Sequence, residues 1–243
     1  TMLPMNDHPA QSHSLIVTID GPAGSGKSTV ARELAGRLGL DSLDTGAMYR
    51  CATLIVIEER LDPADPAAVV RAVDRHRIDF DWTRTPPEIT LDGRAVDGRL
   101  RQPDVNELVS RVASIPELRD LMVRAQRRIA ERHPRLVTEG RDQGSVVFPD
   151  AEVRFYLDAE AGVRARRRAL ELQASGQQVD ERAILDSIQS RDRLDRERSD
   201  SPLQVPEGAI RVDTGTLTAS QVVDELESAV RGYLARAASG GPA

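Results

Sequence analysis

The stretch "SLIVTIDGPAGSGKSTVARELAGRL" (Ser14 to Leu38) constrains this chain more than any other. A short β-branched apolar run ends in a glycine-rich turn, after which Val30, Leu34 and Leu38 recur at helical spacing. Within it Gly21, Pro22, Ala23, Gly24, Ser25, Gly26, Lys27 and Ser28 fit the pattern G-x-x-x-x-G-K-[ST], with Thr29 following. Strand, loop and helix in that order turn backbone N–H groups and a helix N-terminus toward phosphate oxygens. Lys27 would reach the terminal phosphates and Ser28 would offer an oxygen to magnesium. The loop says that a nucleoside triphosphate is held and leaves open what receives its phosphate.

Lys27 is the only lysine among 243 residues; every other strong base is arginine. A G+C-rich coding sequence accounts for the arginine bias but not for the exception. The lone lysine also excludes a Ras-type GTPase, whose guanine-reading N-K-x-D needs another. A large motor or AAA-type ATPase needs more chain and a second motif ending in Asp, whereas "LVTEG" ends its apolar run in Glu139. Cys51 is the single cysteine and there are four histidines, so neither a disulfide framework nor a Cys/His zinc site can be built. A net charge of −6 argues against a general nucleic-acid or anionic-membrane surface. The longest apolar run, Cys51 to Ile57, is far below the roughly 18 residues of a membrane span. The first residues lack a basic segment followed by an apolar one, so a loose tail is expected over 1–14, and a cytoplasmic location.

Further strands are expected near Leu40 to Leu43 and at "RLVTE" (Arg135 to Glu139), "AEVRFYLD" (Ala151 to Asp158) and "AIRVD" (Ala209 to Asp213). Helical patterns cover Glu160 to Ala174, Asp180 to Arg198 and Thr218 to Arg236. Five strands alternating with helices predict an α/β fold, a five-stranded parallel sheet covered on both faces. Between Asp62 and Gln102 a helical stretch leads into short alternating runs punctuated by Pro86-Pro87 and Asp92-Gly93, which predict a small antiparallel insert of about three strands near 76–99. Two helices, near Asp104 to Ser114 and Pro116 to Arg132, return to the sheet.

Several segments carry chemistry, each beside a plainer reading. Glu139 suits a magnesium-bound water at a strand end, or is simply a solvated carboxylate. "DTGAMYR" reads as a loop of small residues bringing Tyr49 and Arg50 to a second phosphate-bearing ligand, while Asp44 or Thr45 also suits a helix N-cap. Arg141 and Asp142 offer a cationic fork and an acceptor at the carboxyl end of a strand, or a structural salt bridge. In "SRDRLDRERS", Arg191, Asp195 and Arg198 share one helical face. They form either a solvated face of i,i+4 pairs or mobile arginines closing over a transferring phosphoryl group, hinged at "ASGQQVDER".

"TIDGPAGSGKST", "DTGAMYR", "EGRDQGSVVFPDA" and "SRDRLDRERSDSPL" resemble, in order and spacing, the bacterial cytidylate kinases. The resemblance runs from about Ile16 to Val230. It implies transfer of phosphate from ATP, with Mg2+, to CMP or dCMP by a monomer. It further implies that Gly21 to Thr29 bind ATP, that Asp44, Thr45, Tyr49, Arg50, Ser110, Arg119, Arg141 and Asp142 surround the monophosphate and its base, and that Arg191, Asp195 and Arg198 form a lid. Lys27, Arg141, Arg191 and Arg198 would be catalytic, with Ser28 and, through water, Glu139 on the metal. Glu139 stands where relatives carry Asp, and Thr45 where some carry Ser. The implied division is a core at 15–45, 134–176 and 200–236, a monophosphate-binding region at 46–133, a short helical lid at 177–199 and a tail at 237–243. The rival readings are a kinase of UMP, shikimate or dephospho-coenzyme A, and a nucleotide-binding regulator without turnover.

Overall fold

The computed structural model describes residues 14–174, 176–198 and 200–239, so the expected N-terminal tail and the end of the C-terminal one lie outside the described residues. Strand β1 (Leu15–Asp20) feeds the glycine-rich loop and helix α1 (Lys27–Leu38), which ends on the left-handed Gly39. Strand β2 (Asp41–Asp44) passes directly into α2 (Thr45–Glu58). The segment expected as a loop of small residues is therefore the first turn of a helix, begun by Asp44, whose Oδ1 accepts from the Ala47 N–H at 2.9 Å. The apolar run Cys51 to Ile57 lies within α2, and Cys51 through Val56 are buried on all sides, which is why that run shows no amphipathic period.

Helix α3 (Pro66–Arg75) leads into the insert, an antiparallel sheet of β3 (Ile78–Asp81), β4 (Glu88–Leu91) and β5 (Arg94–Ala95) in that order. The third strand is shorter than "RAVDGR" suggested, because Asp97 starts a single helical turn, α4 (Asp97–Leu100). Helices α5 (Pro103–Val112) and α6 (Pro116–Arg132), each with proline in its first turn, return to β6 (Arg135–Gly140). A single wide turn at Gln143–Val147 precedes β7 (Val153–Asp158). Then come α7 (Ala161–Ala174), α8 (Glu181–Glu197), β8 (Ile210–Asp213) and α9 (Ala219–Ala238), the last running two residues into the expected tail.

The main sheet is wholly parallel, in the order β2-β6-β1-β7-β8. Side chains alternate across it and so divide the interior in two. Val17, Ile19, Val137, Phe155 and Leu157 pack with Val30 and Leu34 of α1 and Val223 and Leu226 of α9. Leu136 and Leu43 pack with α2, α6 and the insert, where Ile55, Phe80, Ile89, Leu118 and Met122 close a second core. Each large apolar side chain so buried stabilises the fold by about 2 kcal/mol relative to exposure. On the α2 face of β1 lies a polar residue, Asp20, whose carboxylate accepts the Gln143 and Gly144 N–H groups at 2.8 and 2.7 Å. That capture fixes the turn after β6 beside the glycine-rich loop, at the carboxyl end of the sheet where open α/β folds bind ligands. None of the helices is long and apolar enough to cross a membrane, among the described residues.

Candidate active site

The loop after β1 fits only glycine at its start. A Cβ on Gly21 would lie 2.0 Å from the Leu157 carbonyl oxygen of β7. Gly26, at φ 89°, holds the left-handed turn that aims α1 at the loop. Lys27 is buried, and its Nζ donates to the Pro22 carbonyl at 2.7 Å and lies 3.4 Å from Ser25 Oγ. Burial pushes its ammonium well below the usual lysine range, and the nearby Arg141 adds to that shift. The Ser28 hydroxyl donates to Glu139 Oε1 at 2.5 Å. Burial, helped by Asp44, raises the Glu139 carboxyl above its ordinary value. Asp20 is pushed up to about 6 by burial, against the two backbone donors it accepts. Thr29, the last residue of the expected ATP loop, is exposed on α1.

On the other side of Glu139 the expected acceptor residues gather. Asp44 caps α2, and the Thr45 hydroxyl donates to the Glu139 carbonyl at 2.7 Å, so both also hold the backbone. The Arg119 guanidinium is buried, donates to Asp142 Oδ2 and to the Ala113 carbonyl, and lies 5.3 Å from the centre of the Tyr49 ring. Arg141 Nε meets Asp195 at 2.9 Å, and Arg198 lies 3.7 Å from the same carboxylate. Burial and the neighbouring Arg119 lower the pKa of Arg198. Arg50 donates to Asn106 Oδ1 at 2.6 Å and Arg191 to the Asn106 carbonyl at 2.6 Å. Burial and Arg191 push Arg50 down to about 10. Ser110 is half-buried on α5, one turn beyond Asn106, and makes none of the hydrogen bonds that tie the others together among the described residues.

Four buried donor atoms in this group have no hydrogen-bond acceptor among the described residues: Tyr49 Oη, Arg119 Nε, and Arg198 Nε and Nη2. Residues 17–232 match the family described as cytidylate kinase. The chain belongs to the cytidylate kinase family. It is 45% identical over 215 residues to the cytidylate kinase of Caldanaerobacter subterraneus subsp. tengcongensis, covering 88% of this chain and 94% of that one. It is also 45% identical over 216 residues to the cytidylate kinase of Nocardia farcinica, covering 89% and 93%. The crystal structure of TT1252 from Thermus thermophilus overlaps 92% of this chain and 99% of its own at 19% identity and a TM-score of 0.46, a distant likeness.

Against the family pattern, three contributors escape a sequence reading. Asn106 joins two arginines from different elements, Asp20 fixes the turn after β6, and Arg164 reaches the glycine-rich loop from α7. Only Asp20 gave a signal, as a carboxylate ending an apolar strand.

Proposed function

We propose that this chain transfers the γ-phosphoryl group of ATP to CMP or dCMP, forming ADP and CDP or dCDP. The observation that carries the reading is the set of buried donors without a hydrogen-bond acceptor among the described residues, Tyr49 Oη and Arg198 Nε and Nη2, beside the ion-paired Arg119 and Asp142. Buried donors are normally satisfied, so a group of them at one place describes the oxygens of an anionic ligand. The Asp142 carboxylate, held by Arg119, suits the exocyclic amino group of cytosine. Uracil would bring a carbonyl to the same place and leave a buried acceptor facing another acceptor.

In the reaction an oxygen of the acceptor phosphate attacks the γ-phosphorus while the bond to the bridging oxygen of ADP breaks. The acceptor phosphate is already an anion, so no side chain has to remove a proton. Catalysis is positioning and charge neutralisation. Gly21 to Ser28 hold the triphosphate through backbone N–H groups and Lys27. Arg50, Arg141, Arg191 and Arg198 hold and neutralise the two phosphates, with Asp44, Thr45 and Ser110 completing the acceptor side and Asp195 aiming the arginines.

The oxygen donors Ser28 and Glu139, side by side beneath Lys27, fit Mg2+. Ser28 would ligate the ion and Glu139 would hold one of its waters, the phosphates supplying the rest. Among the described residues no cluster of three acidic, His or Cys ligands competes for that role. Bound there, the ion neutralises the terminal phosphates. The segment 177–199 is read as a lid and 46–133 as the acceptor-binding region.

The test is an acceptor panel with purified protein, scoring ADP formation from ATP with CMP, dCMP, UMP, AMP, shikimate and dephospho-coenzyme A. CMP and dCMP should be used at least about 100-fold better in kcat/KM than the others, a discrimination that one unpaired buried polar group can supply. Turnover with another acceptor alone, or with none, overturns the reading.

A further inference from the structure

Arg164 on α7 and Asp192 on α8 form a buried ion pair at 2.6 Å, with side chains 4% and 7% exposed. All three guanidinium nitrogens of Arg164 are used. Nε donates to the Ala159 carbonyl at 2.7 Å, Nη2 to Asp192, and Nη1 to the carbonyl of Ala23, inside the glycine-rich loop, at 2.8 Å. The backbone of Gly24 lies close against the same side chain, since a Cβ there would meet Arg164 Cβ at 3.4 Å.

We infer that Arg164 and Asp192 are positioning residues that set the phosphate cradle and couple it to the lid helix, an inference that rests on the kinase reading above. A trans peptide is planar, and its C=O and N–H point in opposite directions. Anchoring the Ala23 oxygen toward Arg164 therefore turns the Gly24 N–H the other way, into the loop where phosphate oxygens bind. Asp192 holds the same guanidinium from the lid helix. It directly follows Arg191 and precedes Asp195 by three residues, so one turn of α8 carries both the anchor and the phosphate-directed groups. The orientation of the Gly24 amide and the seating of the lid helix thus share one guanidinium.

A buried ion pair used only for stability can be replaced by apolar residues of similar volume at little cost, whereas removing one partner is costly. The double variant Arg164→Met/Asp192→Leu separates the two roles. Arg164→Met alone should lower the melting temperature by about 10 °C, and the double variant should recover most of that. The double variant should nonetheless bind ATP, measured calorimetrically without acceptor, at least about 5-fold more weakly, and show kcat at least about 10-fold lower. KM for CMP should stay within about 2-fold. A double variant that regains the melting temperature together with wild-type ATP affinity and kcat overturns the inference. Should it not fold, the isosteric Asp192→Asn gives the same reading: weakened ATP binding supports the coupling, and unchanged ATP affinity and kcat overturn it. Wild-type turnover of CMP is scored separately, so failure of the kinase reading is distinguishable from failure of this one.

Discussion

The Ser28 hydroxyl donates to Glu139 Oε1 across 111 residues of sequence, joining the first turn of α1 to the end of β6. The contact brings the two candidate magnesium-facing oxygens together before any nucleotide is considered. Glu139→Gln keeps the volume and one acceptor but removes the charge. It should raise the Mg2+ concentration for half-maximal activity by about 10-fold, about 1.4 kcal/mol, with little change in melting temperature. An unchanged Mg2+ dependence would return Glu139 to a purely structural role.

Lys27→Met should lower kcat at least about 100-fold, about 2.7 kcal/mol of barrier, because no other side-chain ammonium exists to take its place. Met fills a similar volume and brings no buried charge, so the circular dichroism melt should remain cooperative. Near-normal turnover in the folded variant would sink the phosphate-loop assignment.

Asp142 should read the base. Truncation to alanine would strand the buried Arg119 guanidinium, so Asp142→Asn is the cleaner change. It should reduce the ratio of kcat/KM for CMP over UMP by at least about 10-fold, since the amide can donate to the uracil carbonyl. Equal losses on both nucleotides would assign Asp142 to the fold or the phosphate.

Arg191→Ala and Arg198→Ala should each lower the phosphoryl-transfer rate at least about 10-fold while changing ATP affinity without acceptor by less than about 2-fold. Asp195→Ala should affect CMP and dCMP alike, because its carboxylate is engaged with Arg141 and Arg198. Steady-state kinetics on both nucleotides decide the matter. A marked change in the CMP-to-dCMP preference would instead place Asp195 on the sugar.

The Asp20 carboxyl makes stability depend on pH. Its folded pKa of about 6 lies above the ordinary 3.8, so its contribution is full below about pH 4 and is lost as pH rises through about 6. Asp20→Asn carries no such titration. The stability of the variant relative to the wild type should therefore rise by about 2.5 kcal/mol between pH 4 and 7 and level off above. A flat difference curve from urea melts would contradict the burial argument.

The sheet could be read from sequence because each parallel strand is a short apolar run followed by a helical period, and β1 with its glycine-rich loop fixed the starting point. Asp142 could be named as an acceptor at the end of β6 and Arg119 only through family resemblance, while their mutual bond could not be read, since α6 and the turn after β6 meet only in three dimensions. Asn106 and Arg164 are ordinary residues on helical faces whose bonds span 85 and 141 residues. Asp192 was hidden for another reason. A single-face reading of the Arg/Asp-rich helix absorbs Arg191, Asp195 and Arg198 and leaves the neighbouring face looking solvated, because nothing local says that α7 covers it.

A chain with one lysine has one side-chain ammonium, and here that group lies buried among Pro22, Ser25 and the loop backbone. Protein grown with nitrogen-15 lysine therefore yields a single Nζ resonance, assigned without mutagenesis. Its chemical shift and proton exchange follow the charge state of the phosphate-loop cation through nucleotide addition, turnover and pH, a spectroscopic window that a lysine-rich relative would obscure.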